Sequence, residues 1–169
     1  ICSESALSDS KLKRLFYPEI LYSKEGNFGG ISLSNENNAN SIEANVDILD
    51  ERFFNLTKLK LLKIDAEGME LNIIKGGIDL IERTKPILYL ENHIYFIEKS
   101  QELIELVWSL GYKIFWHIIP LYNKDNFFKN PKNIFPNQVS TNMLCILKDK
   151  EIKTNLPEIK DSSRHPLIK

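Results

Sequence analysis

The chain is short of glycine, cysteine and long apolar runs, and each scarcity excludes something. Seven glycines stand at 26, 29, 30, 68, 76, 77 and 111 of 169 residues. None forms a G-x-G-x-x-G arrangement, so no glycine-rich phosphate cradle is present. Gly26-Asn27-Phe28-Gly29-Gly30 comes nearest, but no strand-to-helix switch surrounds it and it reads as a turn. Cys2 and Cys145 are the only cysteines, and no zinc-type spacing joins them to His93, His117 or His165. A reduced, cytoplasmic chain without a disulfide framework is expected. The longest apolar stretches, 87–90 and 114–119, fall far short of the ~20 residues that span a bilayer. Neither a membrane span nor a signal peptide is expected. Charge of one sign is lacking too: 22 Lys and Arg face 23 Asp and Glu. With no summed positive field, nucleic acid is not an expected partner.

What is present suffices for one sizeable core, since 43% of residues are hydrophobic and 10% aromatic. The expected division is a domain over 1–147 and a polar, aperiodic tail over 148–169. Residues 1–6 read as a strand already under way, and the first methionine is Met69, so a segment upstream is expected to be missing. A short extended piece at 11–22, a polar loop at 34–41, an edge strand at 42–49 and a helical turn at 50–56 capped by Asp50 follow.

The pattern then sharpens. Leu59, Leu61, Leu62 and Ile64 mark a strand buried on both faces. From Glu67 the period is helical, with Leu71, Ile74, Ile78 and Ile81 at spacings of three and four, until Lys85-Pro86 ends it. A strand over 87–90, a helix over 100–110 with Ser100 as N-cap and Gly111 at its stop, and strands over 112–119 and 142–147 complete an α/β reading. An Asn- and Pro-rich loop joins the last two. Strand, helix, strand, helix and a closing strand pair match the second half of a Rossmann-like methyltransferase sheet.

Specific blocks carry the resemblance further. Ala6-Leu7-Ser8-Asp9, Asn27-Phe28-Gly29-Gly30-Ile31-Ser32-Leu33, Lys63-Ile64-Asp65-Ala66-Glu67-Gly68-Met69-Glu70 and Lys85-Pro86-Ile87-Leu88-Tyr89-Leu90-Glu91-Asn92 resemble successive blocks of the FkbM family of S-adenosylmethionine-dependent methyltransferases. Gly111-Tyr112, Trp116-His117, Asp125-Asn126-Phe127 and Ser140-Thr141-Asn142 resemble its C-terminal portion. The resemblance implies a class I methyltransferase sheet with an antiparallel strand pair at its C-terminal end. It also implies that the N-terminal cofactor-binding strands, with their glycine loop and ribose-holding acid, are missing here. Such a sheet would be incomplete alone, so a second copy of the chain is one expected partner.

The resemblance further implies methyl transfer from S-adenosylmethionine to a hydroxyl of a sugar, glycan or polyketide-like acceptor. Asp65 is then a catalytic and cofactor-binding acid at a strand end, and otherwise an N-cap. Glu67 joins it as catalytic, although an acid in a first helical turn is favoured regardless; Glu70 carries the same ambiguity. Asp9 is expected at the cofactor by analogy, or as a turn aspartate. Glu91, Asn92, Asn126 and Asn142 are the expected acceptor-binding residues, or loop anchors. His117 is the expected proton acceptor, because an unperturbed imidazole titrates at ~6.5 and a carboxylate near ~3.9; otherwise it is a satisfied strand residue. Two other classes compete. One is a non-catalytic fragment or interaction module. The other is a metal-dependent glycosyltransferase using Asp65 and Glu67.

Overall fold

The computed structural model describes residues 2–23, 29–93, 95 and 97–168, as two compact units, Ile1–Pro86 and Ile87–Lys169. The turn expected at 26–30 falls mostly outside the described residues. Both α-helices and β-strands are present, and the sheets mix parallel and antiparallel pairing.

In the first unit, β1 (Ala6–Leu7) runs parallel to β4 (Val46–Asp47), and β2 (Leu15–Tyr17) runs antiparallel to β3 (Ile42–Ala44). Ala6, Leu15 and Ala44 form a small core on which Leu33, Val46 and Met69 pack. The strand expected at 1–6 is thus only two residues long and starts at Ala6, and the edge strand expected at 42–49 is broken at Asn45.

A short helix α1 (Leu49–Arg52) follows, without a side-chain cap of its own. Asp50 does not cap it, contrary to expectation. Its carboxylate instead accepts the backbone N–H groups of Leu80 at 2.7 Å and Asp79 at 3.1 Å, donors at the start of helix α3 (Ile78–Thr84). Those first-turn donors have no partner within their own helix. Arg83 reciprocates by donating to the carbonyls of Phe53 and Leu56.

The single helix expected from 67 to 84 is two, α2 (Glu70–Lys75) and α3, separated by Gly76 and Gly77. The cause is tertiary. A Cβ at Gly76 would lie 2.2 Å from the carbonyl oxygen of Ser8, and one at Gly77 would lie 2.9 Å from Leu49, so backbone and α1 both approach where only glycine leaves room. Helix α3 ends at Lys85, left-handed at φ +50°, just before Pro86. The strand β5 (Leu61–Ile64) is not buried on both faces: Ile64 is enclosed while Leu61 is 55% exposed.

The second unit is built on β6 (Ile87–Glu91), β8 (Val139–Leu147) and β7 (Tyr112–Pro120), in that spatial order and antiparallel throughout. The closing strand pair runs in unbroken register from Tyr112 opposite Leu147 to Pro120 opposite Val139. Alternation divides the sheet into two faces. Leu88, Leu90, Ile114, Trp116, Met143 and Cys145 occupy the buried face, each contributing about 1.5–3 kcal/mol if fully removed from water. The other face, with Tyr89, Glu91, Phe115 and His117, is half-exposed.

Helix α4 (Ile97–Ser109) buries Leu103, Ile104 and Val107 and packs on β7. It begins before Ser100, which is therefore a buried helix residue and not the N-cap. Gly111 at φ +86° ends the turn that follows. Residues 148–168, expected as a polar extension, return along β7. Trp116 N–H donates to Pro157 and Ile159 N–H donates to Ile114, while Ile159 and His165 are buried. Alternating backbone groups of an edge strand attract such a segment, because they are otherwise unpaired.

Candidate functional site

The 64–70 junction of the first unit is a constructed loop. Glu67 and Gly68 both have left-handed backbones, at φ +47° and +95°, so the helix starts at Glu70 and not at Glu67. Gly68 meets this demand at no steric cost, whereas Glu67 adopts a conformation uncommon for a side chain with a Cβ. Glu70 is buried, and its Oε1 accepts the N–H groups of Ala66 at 2.9 Å and Gly68 at 3.3 Å. It is the brace of the loop. The carbonyl of Glu67 accepts the Ser32 hydroxyl at 3.0 Å.

Asp65 is exposed and pairs with Lys63 at 2.6 Å. The N-cap position belongs to Met69, without a side-chain bond, so Asp65 is not the cap of α2. Asp9, after β1, receives the Ser8 hydroxyl, the Lys13 ammonium and the Asn72 amide on one oxygen, at 3.0, 2.7 and 3.2 Å. Burial opposes its ionisation, but these hydrogen bonds outweigh that and lower its pKa to about 2. The pair Asp9–Asn72 ties the end of β1 to α2. Against a nucleoside sulfonium, the first unit's acids therefore fit unevenly: the Asp65 carboxylate stands at the surface, while one oxygen of Asp9 is fully occupied by the protein.

The second unit brings together residues that are far apart in the chain. Glu91 is opposite Asn142, and Asn142 is opposite His117. Directly opposed residues share a face, so the three expected site residues form one row across β6, β8 and β7. Tyr89, two residues before Glu91, shares that face and places Oη 2.8 Å from Nδ1 of His117, with the rings edge-on. Tyr89 was not among the residues expected from sequence. Its signal was available in the two-residue spacing from Glu91, which puts both on one side of a strand.

Asn92 does not join the row. It is 3% exposed; its amide donates to the Met143 sulfur at 3.2 Å, and its carbonyl accepts the Thr141 hydroxyl at 2.7 Å and faces His165 Nε2 at 3.4 Å. Asn142, although in the row, is itself buried at 5% exposure, and its amide donates to Ser140 at 2.8 Å. Asn126 stands in the loop between β7 and β8, donating to the carbonyls of Asn123 and Asn130 and accepting the N–H of Asn130. His93 stacks on Tyr95 at 4.5 Å, and its buried Nδ1 has no hydrogen-bond partner among the described residues. The Cys145 thiol is wholly buried, which pushes its pKa up and keeps it protonated and inert.

A family model for the methyltransferase FkbM domain matches residues 9–114. The chain belongs to the FkbM methyltransferase family. The FkbM match runs from Asp9 through β5, the 64–70 junction and β6 into β7 as far as Ile114, and so includes Asp9, Asp65, Glu67, Glu91 and Asn92. His117, Asn126 and Asn142 lie beyond it. The FkbM family is generally S-adenosylmethionine-dependent. No curated protein and no solved structure matches the chain. Among the described residues of this FkbM protein, no helix is long and apolar enough to cross a membrane.

Proposed function

We propose that the chain takes part in S-adenosylmethionine-dependent O-methylation, with a hydroxyl of a sugar, glycan or polyketide-like molecule as acceptor. Family membership supports the methyl transfer. The observation that carries the acceptor side is the Tyr89–His117 pair beside Asn142 and Glu91 on a half-exposed sheet face. S-adenosylmethionine, when bound, supplies an electrophilic methyl group on a positively charged sulfur.

An alcohol is a poor nucleophile until its proton is removed. In the proposed arrangement Nδ1–H of His117 donates to Oη of Tyr89, leaving the Nε2 lone pair to take that proton. The ring's second nitrogen thus sets the tautomer in which the first can act. Glu91, in the same row, offers a carboxylate suited to a neighbouring hydroxyl of a polyol, and Asn142, buried with its amide donating to Ser140, positions the row between Glu91 and His117. Asp65 is the acid proposed to face the sulfonium, with Glu67 beside it. Asp9 contributes by holding β1 against α2. The missing cofactor-binding strands of the expected Rossmann-like sheet belong to this proposal too.

Two measurements test the two halves separately. Calorimetric titration with S-adenosylhomocysteine is expected to show binding; no heat would remove the cofactor half for this chain. Turnover of a hydroxylated acceptor is expected to fall about 10²-fold in His117→Ala, in line with the loss of a general base. Unchanged turnover across pH would remove His117.

A further inference from the structure

The loop over 121–138, which joins β7 to β8, has features that methyl transfer does not use. Phe127 and Phe128 project from it, 91% and 86% exposed, and meet edge-to-face with centroids 5.3 Å apart. Leu121, Ile134 and Phe135 are exposed on the same loop. Two adjacent aromatic rings this open are costly in water unless something covers them.

The loop is also locally cationic. Lys124, Lys129 and Lys132 are exposed and face a single acid, Asp125, although the whole chain carries a net charge of −1. Its backbone is bonded inward. Asn126 joins the backbone of Asn123 and Asn130, Asn130 accepts the N–H of Lys132, Asn133 accepts that of Phe135, and the Tyr122 hydroxyl donates to Asn130.

We propose that this loop seats on an anionic lipid surface. Two requirements of that surface are met together: rings to enter the headgroup boundary, and cations beside them to meet lipid phosphates and carboxylates, on a loop whose turns are held by the Asn126 side chain. A bilayer yields around two projecting rings, whereas a protein partner would need a cavity shaped for them. The remainder of the chain is net acidic, with 19 Lys and Arg against 22 Asp and Glu, which confines the attraction to the loop, so it is short-ranged and sensitive to salt.

Co-sedimentation of the chain with vesicles of phosphatidylcholine and phosphatidylserine, against pure phosphatidylcholine, tests this. Binding is expected to the anionic vesicles and to fall with added salt. Phe127→Ser with Phe128→Ser, and separately Lys124→Gln with Lys132→Gln, are each expected to weaken it by roughly 10-fold or more. All four side chains are exposed, so the fold is expected to persist, checked by circular dichroism. A chain that stays in the supernatant with anionic vesicles, sediments equally with neutral ones, or binds unchanged in both variants overturns the proposal.

Discussion

Oη of Tyr89 and Nδ1 of His117 share a hydrogen bond of 2.8 Å that crosses β8 from β6 to β7. Tyr89→Phe keeps the ring and removes that oxygen alone. Under the proposed chemistry, kcat is expected to drop about tenfold while KM for the acceptor changes little, because the base is present but its tautomer is no longer selected. The pH profile of kcat should change shape with it. An unaltered profile with normal kcat would make the bond purely structural.

Asp50 holds the first turn of α3 from another helix. Asp50→Ala is expected to cost about 1 kcal/mol, the usual loss for an N-terminal helix cap. Asp50→Asn retains acceptor capacity and should cost less. Urea unfolding of the three proteins gives the ranking; equal stability of all three would show that water replaces the carboxylate without loss.

Gly76 and Gly111 make a matched comparison. A methyl group at Gly76 meets the Ser8 carbonyl at 2.2 Å, whereas one at Gly111, despite φ +86°, meets nothing within 4 Å. Gly76→Ala is expected to destabilise by about 2–3 kcal/mol through overpacking against backbone, and Gly111→Ala by about 1 kcal/mol through conformational strain alone. Thermal unfolding that placed Gly111→Ala as the more damaging change would contradict the close approach.

Asp9 supplies a pH dependence with a definite sign. Its folded pKa of about 2 lies below the ordinary 3.8, so the unfolded chain takes the proton first as pH falls. The stabilisation is complete above about pH 4 and is lost between there and pH 2, and its size is about 1–2 kcal/mol after allowing for partial exposure. Asp9→Asn should remove this component of the acid limb and leave the two proteins alike below pH 2. Parallel acid limbs for both proteins would show that the Lys13 and Asn72 contacts do not discriminate charge.

Where local pattern governs, the sequence was readable. The β7–β8 pair, β6 and the stop at Gly111 follow from apolar alternation and glycine placement, and the second unit bears them out. Where distant backbone intervenes, it was not. The break at Gly76 depends on Ser8, and the cap of α3 on Asp50. Ser100 reads as an N-cap locally but is overridden by helix packing. The tail over 148–168 has no period because it docks by backbone pairing and by His165 against Trp116, at 5.1 Å between rings, not by an amphipathic face.

The candidate site divides in the same way. Glu91, Asn142 and His117 could be picked from the chain singly, and Asp65 and Glu67 from their place after an apolar strand. The amino-acid sequence by itself determined the α/β class, the antiparallel ending and membership of the FkbM family, because residue type and short spacing encode strands, stops and family blocks. Only the tertiary structure decided that Glu91, Asn142 and His117 stand in one row with Tyr89, that Asn92 turns inward, and that Asp9 is committed to Lys13 and Asn72. Strand register and long-range hydrogen bonding within the chain are relations between distant segments, and no local pattern contains them.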